Sequence, residues 1–214
     1  MSDTSGLFFP TQVMRRVLDG TWVAATPGDD GDATDAALMM VPTSIAYTGT
    51  SATTTASGSV EFTACTSVSL NGVFTGDFDN YQIVIRGTSS ANDYMEARLR
   101  ASGVDEDASW NYYTRQYIYA DSTSIAGAIS QQNEFRIGNF SNVQRWGAVT
   151  DAYGPYLAQP TAFRSVAVSD YASAYIEDYA STHSLSNSYD GITLLSRGTQ
   201  THSGVVSVYG IRGA

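Results

Sequence analysis

Apolar and polar residues alternate with period two along most of the chain beyond residue 60, the spacing of half-buried β-strands. In Phe78 to Ala101 (FDNYQIVIRGTSSANDYMEARLRA), Tyr81, Ile83 and Ile85 share one face, and Gln82, Val84 and Arg86 the other. Met95, Ala97, Leu99 and Ala101 then share a face opposite Glu96, Arg98 and Arg100. Gly87 to Asp93 between them is loop-like in composition, so the pair is expected to form an antiparallel hairpin. Val60, Phe62 and Ala64 alternate in the same way, and Asn71-Gly72 is a tight-turn signal. Further strands are expected at Tyr112 to Tyr119, around Phe135 and Ile137, and at Phe163 to Ser169 with Val166 and Val168 inward. Others fall at Ala174 to Tyr179, Ile192 to Leu195 and Gly204 to Ile211. About seven to nine short strands with Gly- and Ser-rich turns predict an all-β fold, an antiparallel β-sandwich. Gly103 to Asn111, Ala120 to Gln132 and Ser141 to Thr161 are read as crossovers or exposed contact loops.

The first sixty residues read differently. Gln12 to Leu18 suits a short helical piece stopped by Asp19-Gly20. Phe8, Phe9, Val13, Val17, Leu18 and Trp22 give it more apolar surface than so short a segment can bury alone. It therefore folds back on the main domain or serves as a docking peg in a partner. Thr26 to Asp35 is an acidic linker in which Asp30, Asp32 and Asp35 faintly resemble a calcium loop, without its closing Glu. Thr48 to Ser59 is small and low in complexity, a linker or a short edge strand. The expected organisation is a docking arm with linker at 1–47, partly helical and extended, a linker at 48–59 and a sandwich domain at 60–214.

Composition sharpens this picture at two points. All eleven basic residues are Arg, with no Lys, beside fourteen Tyr. Interfaces are depleted in Lys and enriched in Arg and Tyr, so the bias leans toward a chain that lives in an assembly. A net charge of −10 disfavours nucleic acid and anionic membranes as partners. No stretch approaches the roughly 20 apolar residues of a membrane span, and no signal peptide is evident.

Candidate chemistry is sparse. Cys65 is the only cysteine and reads as a small buried side chain. His183 and His202 lie in Ser/Thr-rich stretches and read as solvated turn residues, with no carboxylate at a metal-binding offset. Asp105, Glu106 and Asp107 read as a solvated loop tip, although spacing along the chain does not exclude a pair of carboxylates for glycoside cleavage. No Gly-x-Ser-x-Gly elbow and no phosphate-cradling Gly loop occur, so no catalytic residue, metal or cofactor is assigned. Trp110, Tyr112, Tyr113, Trp146, Tyr153 and Tyr156 gather around two long connections. Such rings suit partner contacts and sugar stacking, and equally an aromatic-rich core.

Pro42 to Gly87 resembles a family of tailed-bacteriophage virion proteins. The matching features are the Ser/Thr/Gly lead-in, the turn Ser69 to Phe74 (SLNGVF) and the strand Asp79 to Ile85, with Tyr209, Gly210 and Ile211 at the end of the chain. The resemblance implies a jelly-roll-like sandwich, a homo-trimer, and other virion proteins of tail, baseplate or capsid as partners. It implies a structural, non-enzymatic protein made in the host cytoplasm and carried in the virion, as a tail or baseplate fibre or a capsid decoration protein. A module that binds host surface glycan through its loop aromatics is the other class expected.

Overall fold

The computed structural model describes residues 37–108, 111–116, 129–140, 142, 145–170 and 174–211. The expected docking residues Phe8, Phe9, Val13, Val17, Leu18 and Trp22, the acidic loop Asp30 to Asp35, and Trp110 lie outside the described residues.

Every described element is a strand. In chain order they are β1 (Ala37–Met40), β2 (Ser44–Thr54), β3 (Val60–Asn71), β4 (Asn80–Ser89), β5 (Asp93–Ala101), β6 (Val104–Asp105) and β7 (Tyr112–Gln116). There follow β8 (Ile129–Gln132), β9 (Phe135–Phe140), β10 (Trp146–Tyr153), β11 (Thr161–Asp170), β12 (Ala174–His183), β13 (Gly191–Ser196) and β14 (His202–Ile211). All pair antiparallel in one sheet, in the order β6-β5-β13-β3-β14-β4-β10-β11-β12-β7-β8. β1 joins β14, β2 joins β3 and β9 joins β5 off that path. The fold is all-β, a curled antiparallel sheet.

The curl has a local cause in β3. Its first half pairs with β14 and its second half with β13, while β2 follows its other edge throughout. At the changeover Ala64 adopts a positive φ of 46°. Registers shift on both sides, between Thr48 and Gly49 in β2 and between His202 and Gly204 in β14. Paired bulges of this kind bend a strand sharply. The Ala64 N–H, turned out of the ladder, donates to Ser203 Oγ at 2.8 Å. Gly49 sits where any Cβ would strike the Ala64 carbonyl and Cys65, so the bend needs glycine there.

Two wings thus leave β3, and both contribute side chains to one core. The first wing contributes Tyr81, Ile83, Ile85, Ala148, Ala152, Phe163 and Ala167, and the second Met95, Ala97, Leu99, Ile192 and Leu194, all buried. β9 closes the curl. One edge of it pairs with β5, and its other edge meets the inner face of the first wing. There Ser165 Oγ donates to the Ile137 carbonyl at 2.8 Å, and the Asn139 N–H donates to Glu177 Oε2 at 2.6 Å. Phe135 stacks on Phe163 with centroids 4.0 Å apart, and Phe140 on Trp146 at 3.7 Å.

Several expectations need correction. β4 and β5 do not form a hairpin. β4 is flanked by β14 and β10, and β5 by β13 and β9. The three residues between them cross from wing to wing, and the Ser90 N–H donates to the Thr201 carbonyl at 2.8 Å. Residues 48–59 are not a linker: they are strand β2 and the turn into β3. The long connection Ser141 to Thr161 contains β10. Val166 and Val168 do not point inward. Phe163, Ser165 and Ala167 hold the inner positions of β11, and a strand commits its alternate residues to one face as a set. Neither histidine is solvated. His183 ends β12 and His202 begins β14, and both are buried.

Candidate functional site

The outer face of the first wing is the most unusual surface of the molecule. Register fixes its rows. Val84 of β4 opposes Val149 of β10, which opposes Val166 of β11. The neighbouring row runs Val205, Arg86, Gly147, Val168 and Ile176 from β14 to β12. The row on the other side runs Tyr209, Gln82, Asp151, Arg164 and Ala180. Val168 is 52% exposed, Ile176 46% and Val149 38%. Among the described residues nine large apolar side chains are exposed, and six belong to β10, the loop after it, β11 or β12. The apolar surface is therefore gathered on one side, and a contiguous patch of this kind marks a contact site more often than bare solvent.

Charges on this face are few and mostly engaged. Arg164 grips Asp178 with Nε at 3.2 Å and Nη2 at 2.7 Å. Gln82 Nε2 donates to Asp151 Oδ1 at 3.0 Å. Arg86 is exposed and makes no ion pair with a described residue.

A second polar region lies where β5 meets β9. Tyr94 carries Arg136 over its ring at 4.3 Å and Arg197 at 5.4 Å. Beside it opens a crevice of about 480 Å³ lined by Asn92, Asp93, Tyr94, Asn139, Arg197 and Gly198. Beneath, Arg136 Nε approaches Glu96 Oε1 at 3.5 Å and Arg98 pairs with Glu134 at 3.1 Å. Burial, with the charge of Glu134, pushes the Glu96 carboxyl up to about 7. Glu177 accepts from Tyr179 Oη at 2.8 Å as well as from β9, and burial drives the Tyr179 hydroxyl pKa far up. These groups tie β9 in place, although Arg98 Nε and Arg136 Nε have no hydrogen-bond partner among the described residues. The arrangement is that of a buried structural network.

The loop aromatics separate into two groups. Tyr112 and Trp146 are core: Tyr112 Oη accepts from the Leu99 N–H at 2.9 Å, and Trp146 stacks on Phe140. Neither ring is placed to stack on a sugar. Tyr153 and Tyr156 are exposed, at the end of β10 and in the loop beyond it. The Tyr113 backbone lies in β7. Asp105 is no free loop tip, since it pairs with Arg100 and accepts from Thr193 Oγ1 at 2.6 Å. Among the described residues no group of three or more His, Cys, Asp or Glu could hold a metal ion, and no helix is long and apolar enough to cross a membrane.

Alternation alone does not reveal the valine row, because Val149 falls inside an expected loop and Val166 and Val168 read as inward. One signal was available. Trp146 to Tyr153 and Thr161 to Val168 carry apolar residues on both alternating sets, more than one buried face requires.

No family model matches the chain, and no curated protein does. Among solved structures it is similar to a protein of unknown function from Shewanella oneidensis MR-1. The identity is 9%, the match covers 95% of this chain and 97% of that one, and the TM-score is 0.27. A likeness at that level carries no argument about fold or function.

Proposed function

We propose that this chain is a non-enzymatic structural protein of a tailed-bacteriophage virion. Its N-terminal arm, partly helical and carrying Phe8, Phe9, Val13, Val17, Leu18 and Trp22, docks on other virion proteins. Its β region, a jelly-roll-like sandwich in this reading, faces outward in a homo-oligomer. A tail or baseplate fibre is the first choice and a capsid decoration protein the alternative. The observation that carries the assembly role is the outward-facing apolar row of half-buried Val84 and Val166 around exposed Val149, with exposed Val168 and Ile176 beside it, on a chain without Lys. The virion itself enters through the resemblance of Pro42 to Gly87 and Tyr209 to Ile211.

The test is incorporation. Particles produced by the genome that encodes this chain are purified on a density gradient and their proteins identified by mass. The full chain is expected in the particle band, and a chain lacking residues 2–36 is expected in the soluble fraction with its β circular dichroism retained. Full incorporation of the shortened chain rules out the docking arm. Absence of the full chain from particles rules out the virion role.

A further inference from the structure

We infer that the outer face of β14, β4, β10, β11 and β12 is a two-fold contact between two copies of this chain. This deepens the reading above by naming the partner of that face as a second copy.

The size is sufficient. Five strands at about 4.8 Å spacing and eight residues at about 3.4 Å rise span about 650 Å² of sheet, or about 1,300 Å² over two copies. Stable specific contacts begin near that value, at about 1,200 Å². The pattern is self-complementary. A two-fold axis along this row sets Val84, Val149 and Val166 each against its own counterpart, and likewise Asp178, which continues the row on β12 with its charge matched by Arg164. The same rotation exchanges the two flanking rows. Arg86, exposed and without an ion pair among the described residues, then lies over the row of the other copy that holds Gln82 and Asp151. Arg86 thereby meets a carboxylate, and the exposed ends of Val168 and Ile176 leave water. A face used in this way is isologous and builds pairs or even-numbered assemblies.

Sedimentation equilibrium of the purified full chain tests this. The expected mass is an even multiple of 22.9 kDa. Val149→Glu and, separately, Val168→Glu are expected to reduce it to one chain with unchanged circular dichroism. Both residues project outward, so the fold does not depend on them. Val104→Glu, 70% exposed on another surface, is expected to leave the mass as it is. Arg86→Asp is expected to weaken association at least tenfold, and adding Asp151→Arg to restore it. A single-chain parent, a mass of three chains, or folded Val149→Glu and Val168→Glu proteins that keep the parent's mass would overturn the inference. Incorporation into particles is read separately. A chain that enters virions without pairing defeats this inference alone, and one that pairs but never enters virions defeats only the functional reading.

Discussion

His202 shows how a buried side chain sets a pH limit. Its Nδ1 lies 2.7 Å from Ser89 Oγ, which also accepts from Trp146 Nε1 at 3.1 Å, while Nε2 has no hydrogen-bond partner among the described residues. Burial pulls its pKa down from 6.5 to about 4, with Asp93 offsetting part of the shift. The unfolded chain therefore takes the proton first. The contribution of His202 is complete above about 6.5 and is lost as pH falls toward 4, a change of about 3 kcal/mol. Burial lowers the pKa of His183 as well. Glu96 works in the opposite sense. Its raised pKa means that the folded chain takes the proton first, so its contribution is complete below about 4.5 and is lost as pH rises toward 7. Between those limits the two slopes oppose each other. Melting temperature of the parent is expected to fall only gently from pH 6.5 to 4.5, because His183 adds to the slope of His202 while Glu96 opposes both. That of Glu96→Gln should drop as pH is lowered, and that of His202→Gln should rise or level. A Glu96→Gln protein with the same profile as the parent would show that Glu96 ionises as it does in water.

At the scale of elements, β9 poses the problem of a strand edge buried against a core. Ser165 and Glu177 solve it by supplying, in that order, the donor and the acceptor that a neighbouring strand would have offered. Thr150 Oγ1 donates to Ser165 Oγ at 2.8 Å and Tyr179 supports Glu177, so both caps are themselves held. Ser165→Ala should cost about 1–3 kcal/mol by stranding the Ile137 carbonyl, and Glu177→Ala more, by stranding the Asn139 N–H and the Tyr179 hydroxyl together. Urea denaturation checks both, and an unchanged midpoint for Glu177→Ala would refute the capping account. These caps also mark the limit of what the sequence displays. The faces of β4 and β5 were legible, because Tyr81, Ile83 and Ile85, and Met95, Ala97 and Leu99, are buried as their alternation predicts. Their partners were not, because pairing is decided by β14, β10 and β13, which lie far away in the chain. The inner set of β11 is ambiguous in the sequence for a similar reason. Val166 and Val168 are as apolar as Phe163 and Ala167, and contacts with β9 choose between the two sets: Phe163 stacks on Phe135 and Ser165 caps the Ile137 carbonyl. The candidate face inherited that ambiguity. His202 was opaque in the same way: its Ser/Thr neighbours suggest water, and its true neighbours, Ser89 and Trp146, come from two other strands.

For the whole molecule the question is where the folding unit starts. Alternation suggested Val60, yet β2 covers one edge of β3 from Ser44 to Thr54, and β1 pairs with the end of β14. β3 is the strand at which the sheet bends, and its other edge is already shared between β14 and β13. Without β2, the N–H and C=O groups along that edge lose their partners at the bend, and Phe62 and Cys65 lose the cover of Ala52 and Gly49. Unpaired edges of this length also recruit other chains. A chain of residues 37–214 is therefore expected to melt cooperatively and at close to the temperature of the full protein. A chain of residues 60–214 is expected to aggregate or to melt without a cooperative transition. Calorimetry on the two chains decides between a unit that begins at β1 and one that begins at β3. A cooperative, soluble 60–214 chain would mean that β1 and β2 are appendages, and that the bulge at Ala64 holds its bend without Gly49 against it.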